Sequence, residues 1–168
     1  MEDRTITISA LSKTYSVTGW RVGWTIAPPH LTDAIRRVHD FVTVGAPTPL
    51  QEAGAVALRL PDAYYQQLAA DYLQRRDLML QVLASAGLPA ATPAGAYYVM
   101  TDASVLGLGD DIAAAHALVR KARVAAVPGS SFYSSPELGS SKLRFSYSKK
   151  PATLREAGRR FAQLTDTT

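Results

Sequence analysis

The stretch Ser12-Lys13-Thr14-Tyr15-Ser16-Val17-Thr18-Gly19-Trp20-Arg21-Val22-Gly23-Trp24 decides the fold of this chain. Before it, residues 4–9 alternate polar and β-branched side chains, a pattern typical of a strand, and residues 22–27 predict a second strand. Lys13 is therefore predicted on a loop that leaves a strand, with Arg21 eight residues later. A primary amine attacks an electrophilic carbonyl, and a guanidinium binds phosphate through parallel N–H donors. The spacing favours a ligand that carries both groups, although a single loop lysine is more often a solvated charge.

The composition predicts a folded globular protein. Of the 168 residues, 47% are hydrophobic and 19% are charged, which excludes a disordered chain. Cysteine is absent and the three histidines are scattered, so neither a disulfide framework nor a metal-ligand spacing is present. No apolar run approaches the ~20 residues that cross a membrane, and the N-terminus does not resemble a signal peptide. We therefore expect a cytoplasmic protein with no membrane partner.

The net charge of +4 raises the hypothesis of a nucleic-acid module. The paired cations are dispersed over separate predicted elements, at residues 36–37, 75–76, 149–150 and 159–160. This distribution is typical of solvated faces, so we expect no nucleic-acid partner. The alternative would require salt-sensitive binding to DNA or RNA.

Hydrophobic periodicity predicts helices and strands along the rest of the chain. Thr48 is predicted to cap a helix with Gln51 completing the capping box, and Gly87 to end a longer helix in the left-handed conformation. The predicted helices cover residues 31–43, 48–58 and 62–86, then one from Asp110 or Asp111 with Ala115, Leu118, Val119 and Ala122 inward, and one from Pro151; the predicted strands cover residues 95–100, 124–127 and 143–148.

The lysine loop closely resembles the Schiff-base segment of fold-type I, pyridoxal-phosphate-dependent aminotransferases of class I/II, in the aspartate and kynurenine branch. Four more blocks resemble that family in its own order. They are Val38–Ala53, Pro93–Tyr98, Ala125–Phe132 and Leu143–Ser148.

The resemblance implies an α/β fold, the C-terminal part of fold type I. Residues 1–60 would be a remnant of the large cofactor-binding domain and residues 61–168 the small C-terminal domain, with the N-terminal part absent. Two isolated strands in the first part would leave their edges open for pairing.

The resemblance also implies roles for single residues. Lys13 would hold pyridoxal 5'-phosphate as a Schiff base and then shuttle a proton, while Arg21 and the Ser12 hydroxyl would bind the cofactor phosphate. Position 10, often a second serine in relatives, is Ala10 here. Arg144 would clamp the substrate α-carboxylate, with Tyr97 on the substrate side.

Alternatives to these last two roles come from the residues themselves. A strand arginine can simply pair with a surface carboxylate. Because side chains alternate along a strand, only one of Tyr97 and Tyr98 can face the site.

The leading hypothesis is an aminotransferase that moves an amino group between an L-amino acid and a 2-oxo acid. In the family, a glycine-rich helix start, a ring-stacking aromatic and an acidic partner of the ring nitrogen all precede the lysine segment. We therefore expect a truncated chain that is not competent alone, in a homodimer or with a complementing N-terminal half. The alternative is a non-catalytic remnant or interaction half that pairs with another chain. Aspartate, aromatic and kynurenine-type substrates stay open.

Overall fold

The computed structural model describes residues 2–165, and the side chains of residues 163–165 lie outside that description. The chain divides into two compact units, Met1–Tyr64 and Tyr65–Thr168. This division falls four residues after the domain boundary predicted from the sequence. The assignment of the two parts to a large and a small domain stays a prediction, and residues 166–168 lie outside the described residues.

The first unit contains a two-stranded antiparallel sheet and helices. Strand β1 (Thr7–Ala10) pairs with β2 (Gly23–Ile26), from Thr7 opposite Ile26 to Ala10 opposite Gly23. The helices are α1 (Pro29–Val42), α2 (Thr48–Ala57) and the first turn of α3 (Asp62–Ser85). The first strand begins later than predicted, because Glu2–Arg4 forms a 3-10 helix.

The core of the first unit is small. Leu11, 1% exposed, and Val22 are its buried hydrophobic side chains among the described residues. Helix α1 is only half covered: Leu31 and Ile35 are partly buried, but Val42 is exposed. Phe41 is 94% exposed. Every residue of β1 is exposed.

The second unit is a three-stranded antiparallel sheet with helices. Its strands are β3 (Tyr98–Asp102), β4 (Val127–Pro128) and β5 (Lys142–Ser146), in the order β3-β5-β4. The helices are the remainder of α3, α4 (Asp111–Ala122) and α5 (Pro151–Thr165). The largest fully buried side chains of this unit are Tyr147, Phe161, Leu83, Leu88, Leu118, Leu143 and Val99.

Strand β3 starts three residues later than predicted. Ala96 has a φ of 67°, outside the extended region, and the Tyr147 hydroxyl donates to the carbonyl oxygens of Gly95 and Ala96 at 3.2 and 3.1 Å. The backbone therefore bends before Tyr98. Past the last paired residues of β3 and β5, the Tyr147 N–H still donates to the Tyr97 carbonyl oxygen at 2.9 Å.

The helix ends agree with the predicted caps in part. Gly87 has a φ of +70°, and the Leu88 N–H donates to the Leu83 carbonyl oxygen at 2.9 Å, as expected for a left-handed end. The predicted capping box at Thr48 is wrong: no side chain caps α2, and the Gln51 amide instead donates to the Ala46 carbonyl oxygen.

Two neighbouring aspartates, Asp110 and Asp111, were predicted as alternative N-caps of helix α4. The Asp110 carboxylate accepts the Ala113 N–H at 2.8 Å and is the cap, whereas Asp111 is buried. The predicted inner face of α4 is wrong at Val119, which is 46% exposed, while Ala114 is buried. Among the described residues no helix is both long and apolar enough to cross a membrane.

Candidate functional site

Lys13 lies on the loop that joins β1 to β2, as predicted. The neck of this loop is closed by the Leu11 N–H, which donates to the Val22 carbonyl oxygen at 3.1 Å, and both residues are buried. The turn that follows is held by two further backbone bonds, from Tyr15 to the Leu11 carbonyl and from Ser16 to the Lys13 carbonyl, each 3.2 Å. The Lys13 side chain is exposed. The loop therefore presents a primary amine from a closed backbone frame.

Thr18 ties together the two residues predicted to bind a phosphate. Its hydroxyl donates to the Ser12 carbonyl oxygen at 3.1 Å. Its carbonyl oxygen accepts a hydrogen bond from Arg21 Nη1, also at 3.1 Å. Arg21 has a left-handed backbone, with a φ of 54°, and its side chain is exposed. The loop thus holds one edge of the guanidinium and leaves its other N–H donors available to an anion.

Two helices of the first unit hold the lysine loop from outside. A Cβ on Gly54 of α2 would lie 2.7 Å from Leu11 Cδ1, so the glycine makes room for the buried neck. The Tyr64 hydroxyl donates to the Thr14 carbonyl oxygen at 2.7 Å, and its ring stacks on Tyr15 with centroids 5.8 Å apart. Sequence reasoning missed Tyr64, because nothing in the local pattern shows that a tyrosine fifty residues away reaches this loop.

In the second unit Arg144 lies on the central strand β5, between Met100 of β3 and Val127 of β4. Its guanidinium carbon is 4.9 Å from the Tyr98 ring centroid and 4.4 Å from that of Phe132. Phe132 ends the short 3-10 helix Gly129–Phe132 that follows β4. Arg144 is thus flanked by one aromatic ring from each neighbouring segment.

The structure places Tyr98 beside Arg144. Tyr98 lies two residues before Met100 on β3, and its ring lies against the Arg144 guanidinium. Tyr97 precedes β3, so strand alternation does not decide its orientation; its ring is nearly perpendicular to that of Tyr98, with centroids 5.4 Å apart. Phe132, the last residue of the Ala125–Phe132 block, was not predicted from the sequence as a neighbour of Arg144.

Arg144 differs from the other half-buried arginines. Four arginines in the described part of the chain are partly buried. Arg75, Arg76 and Arg160 each pair with a carboxylate, whereas Arg144 has none within 4.0 Å among the described side chains. A partly buried guanidinium with no internal carboxylate is chemically suited to hold an external one.

Asp111 holds the segment that carries Phe132. Asp111 is 2% exposed, and its Oδ2 accepts the Ser130 N–H at 2.7 Å. Its own N–H donates to the Ser140 carbonyl oxygen at 2.7 Å. Burial by itself would raise the pKa of the Asp111 carboxyl, but the hydrogen bonds from Ser130 and from the backbone of Ile112 and Asp111 together outweigh it, and the pKa is lowered from 3.8.

The lowered pKa makes the second unit less stable in acid. The stabilisation from ionised Asp111 is fully present above its unfolded pKa, near 3.8, and is lost as the pH falls through the lower native pKa. Asp111→Asn keeps the size and an acceptor oxygen, so we expect a loss of about 1 kcal/mol in the free energy of unfolding at pH 7, shrinking below pH 4. Urea denaturation between pH 7 and pH values below 4 measures the free energy of unfolding of both chains, and hence this loss and its decrease in acid.

Asp110→Asn is the matched control, because asparagine caps a helix as well as aspartate does. We expect that variant to unfold with the wild-type midpoint at pH 7. An Asp111→Asn chain with the wild-type stability and the wild-type acid profile would show that the Ser130 contact contributes nothing.

Comparisons with known proteins identify relatives that match most of this chain. The family model for aminotransferase class I and II matches residues 1–161. A kynurenine–oxoglutarate transaminase from Dictyostelium discoideum is 36% identical over 94% of this chain and 41% of its own. A methionine aminotransferase from Escherichia coli strain K12 is 34% identical over 98% of this chain and 42% of its own.

A solved structure agrees with these matches. The N-succinyldiaminopimelate aminotransferase from Mycobacterium tuberculosis is 34% identical, with a TM-score of 0.91 over 98% of this chain and 43% of that one. The chain therefore spans about two fifths of the length of the relatives it matches.

Proposed function

Because the chain belongs to the class I and II aminotransferase family, we propose that it is part of an enzyme that moves an amino group between an L-amino acid and a 2-oxo acid. The observation that carries this proposal is an exposed lysine on a closed loop, inside the family match over residues 1–161. The mixed α/β structure, similar to a C-terminal portion of fold type I, supports it. The activity, substrates and partners of the whole enzyme are proposals, since the chain spans about two fifths of its relatives.

The residues of the lysine loop fit pyridoxal phosphate by their chemistry. Lys13 offers an amine to the aldehyde carbon of the cofactor. Arg21 offers a guanidinium, and Ser12 a hydroxyl, to its phosphate. When bound, the cofactor would supply an electron sink for the carbanion at the substrate Cα. Lys13 would hold the cofactor and later move a proton at that carbon, for which a flexible primary amine is suited.

Arg144 would bind the substrate α-carboxylate through two parallel N–H donors, which fixes the plane of the substrate. The described side chains place no carboxylate within 4.0 Å of Arg144, which supports this role. We keep Tyr97 as a proposed residue on the substrate side, next to Tyr98.

We further propose that the 168 residues by themselves bind the cofactor without completing transamination. The partners would be a second copy of the chain or a polypeptide that supplies the rest of the enzyme, in the cytoplasm. The relatives are more than twice as long as the region that they share with this chain.

The test is reductive labelling of the full chain. We expect pyridoxal phosphate and borohydride to place a pyridoxyl group on Lys13, mapped by mass spectrometry, with visible absorbance before reduction. Arg21→Ala should lower the affinity for pyridoxal phosphate about tenfold or more, because it removes charge-assisted hydrogen bonds to the phosphate.

Two controls make the result specific. Pyridoxal, which lacks the phosphate, should label wild type and Arg21→Ala equally. Arg59→Ala removes another exposed arginine of the first unit. It should change neither the affinity for pyridoxal phosphate nor the labelling by pyridoxal. Equal labelling of all lysines, or an Arg21→Ala chain with wild-type affinity for pyridoxal phosphate, would contradict the proposed site.

A further inference from the structure

Phe132 is an exposed aromatic residue that the hydrophobic core does not explain. Its side chain is 45% exposed and does not belong to the buried cluster of the second unit. Its ring nevertheless lies 4.4 Å from the Arg144 guanidinium carbon, closer than the Tyr98 ring at 4.9 Å. Single exposed apolar side chains are common at protein surfaces, so what distinguishes Phe132 is its contact with Arg144 and not its exposure.

We propose that Phe132 is a positioning residue: its ring orders the Arg144 guanidinium so that the donor edge is ready to bind a carboxylate. This inference rests on the proposed function, in which Arg144 holds the α-carboxylate of an amino acid or a 2-oxo acid. Phe132 acts through Arg144 and makes no contact with the carboxylate itself.

The physical reason is the cost of ordering a long side chain. A free arginine loses rotamer freedom when it binds an anion, and that loss weakens binding. A guanidinium that already lies over an aromatic face has lost much of this freedom before the ligand arrives. Two ring centroids within 5 Å of its central carbon restrict the Arg144 guanidinium, and an ordered guanidinium can form two parallel hydrogen bonds to a carboxylate.

The backbone around Phe132 is fixed strongly enough for this role. The Ser130 N–H is bound by the buried Asp111 carboxylate at 2.7 Å. A Cβ on Gly129 would lie 2.6 Å from the Gly139 carbonyl oxygen, so the two segments cross in close contact. The Tyr133 N–H donates to the Ser130 carbonyl oxygen at 3.4 Å. The position of the ring is therefore set by contacts on both sides of it.

The next cation along β5 provides an internal comparison. Lys142 shares the face of Arg144 by strand alternation, and its Nζ lies 5.8 Å from the Tyr133 ring centroid. That amine also donates to the Leu138 carbonyl oxygen at 3.2 Å. Lys142 thus has a partner within the protein, whereas no carboxylate among the described side chains lies within 4.0 Å of Arg144.

The experiment is a titration of the ¹⁵N-labelled full chain with pyruvate, followed at the Arg144 Nε–Hε resonance. Phe132→Leu removes the ring, Phe132→Tyr keeps it, and Tyr133→Leu removes the matched ring beside Lys142. We expect Phe132→Leu to raise the dissociation constant for pyruvate about three- to tenfold, and to move the ligand-free Arg144 resonance toward that of a solvated arginine. Phe132→Tyr and Tyr133→Leu should retain the wild-type constant.

The outcomes separate this inference from the proposed function. Arg144-dependent binding that is equally tight in Phe132→Leu overturns the positioning role and leaves the carboxylate site standing. An equal loss in Tyr133→Leu also overturns it, because the effect would then be structural. Pyruvate binding that is absent in wild type, or unchanged in Arg144→Ala, overturns the carboxylate site of the proposed function and this inference with it.

Discussion

Lys13→Ala is expected to abolish the pyridoxyl label on the peptide that carries the lysine loop. Only a primary amine condenses with the aldehyde of pyridoxal phosphate in a form that borohydride fixes. Lys13 is the only lysine among residues 1–64, so a peptide map assigns the label without ambiguity. Lys13→Arg should lose the label equally, because the guanidinium stays protonated and does not act as a nucleophile. Tryptic or Glu-C mapping of the reduced chain measures this loss.

The loss should not come from unfolding. The Lys13 side chain is exposed, and the loop is held by backbone and Thr18 hydrogen bonds. We therefore expect the free energy of unfolding of Lys13→Ala to stay within about 0.5 kcal/mol of wild type.

Lys149→Ala is the matched control, since it removes an exposed lysine of the second unit. It should leave the label on Lys13 unchanged in yield. Wild-type labelling that is no greater at Lys13 than at Lys149 would show that the loop confers no special reactivity on its amine.

The lysine loop could be predicted because its signals are local. Two strand patterns flank the loop and fix where it begins and ends, and the structure places both strands and the loop accordingly. Gly87 was predictable for the same reason, since a glycine after a periodic helix is a local signal.

The contacts around the site could not be predicted, because they depend on long-range register. That Tyr98 lies against Arg144 follows from the pairing of Met100 with Arg144, a choice between two faces that the sequence does not make. The contact of Tyr64 with Thr14 joins residues fifty positions apart. Val119 was predicted to face inward but is exposed. Hydrophobic periodicity groups residues on one face of a helix, but it does not say how much of that face the rest of the protein covers.

Gly139→Ala is expected to destabilise the second unit by about 3 kcal/mol, the upper range for overpacking. A Cβ at this position would lie 2.5 Å from the carbonyl carbon and oxygen of Gly129 and 2.6 Å from the Ser130 nitrogen. These are backbone atoms, so no side-chain rotation relieves the overlap. The displaced Ser130 N–H would also lose its geometry to the buried Asp111 carboxylate. Hydrogen exchange at the amides of β5 reports the second unit directly.

Gly95→Ala is the matched control within the same unit. A Cβ there has no atom within 4 Å, and its φ is outside the left-handed region, so we expect wild-type protection of β5. Gly129→Ala should be as damaging as Gly139→Ala, since its Cβ would meet the Gly139 carbonyl oxygen and Lys142 at 2.6 Å. The double variant should cost less than the sum of the two, because separating the crossing segments once relieves both overlaps. Additive costs, or wild-type protection in Gly139→Ala, would show that the two glycines do not share one close backbone contact.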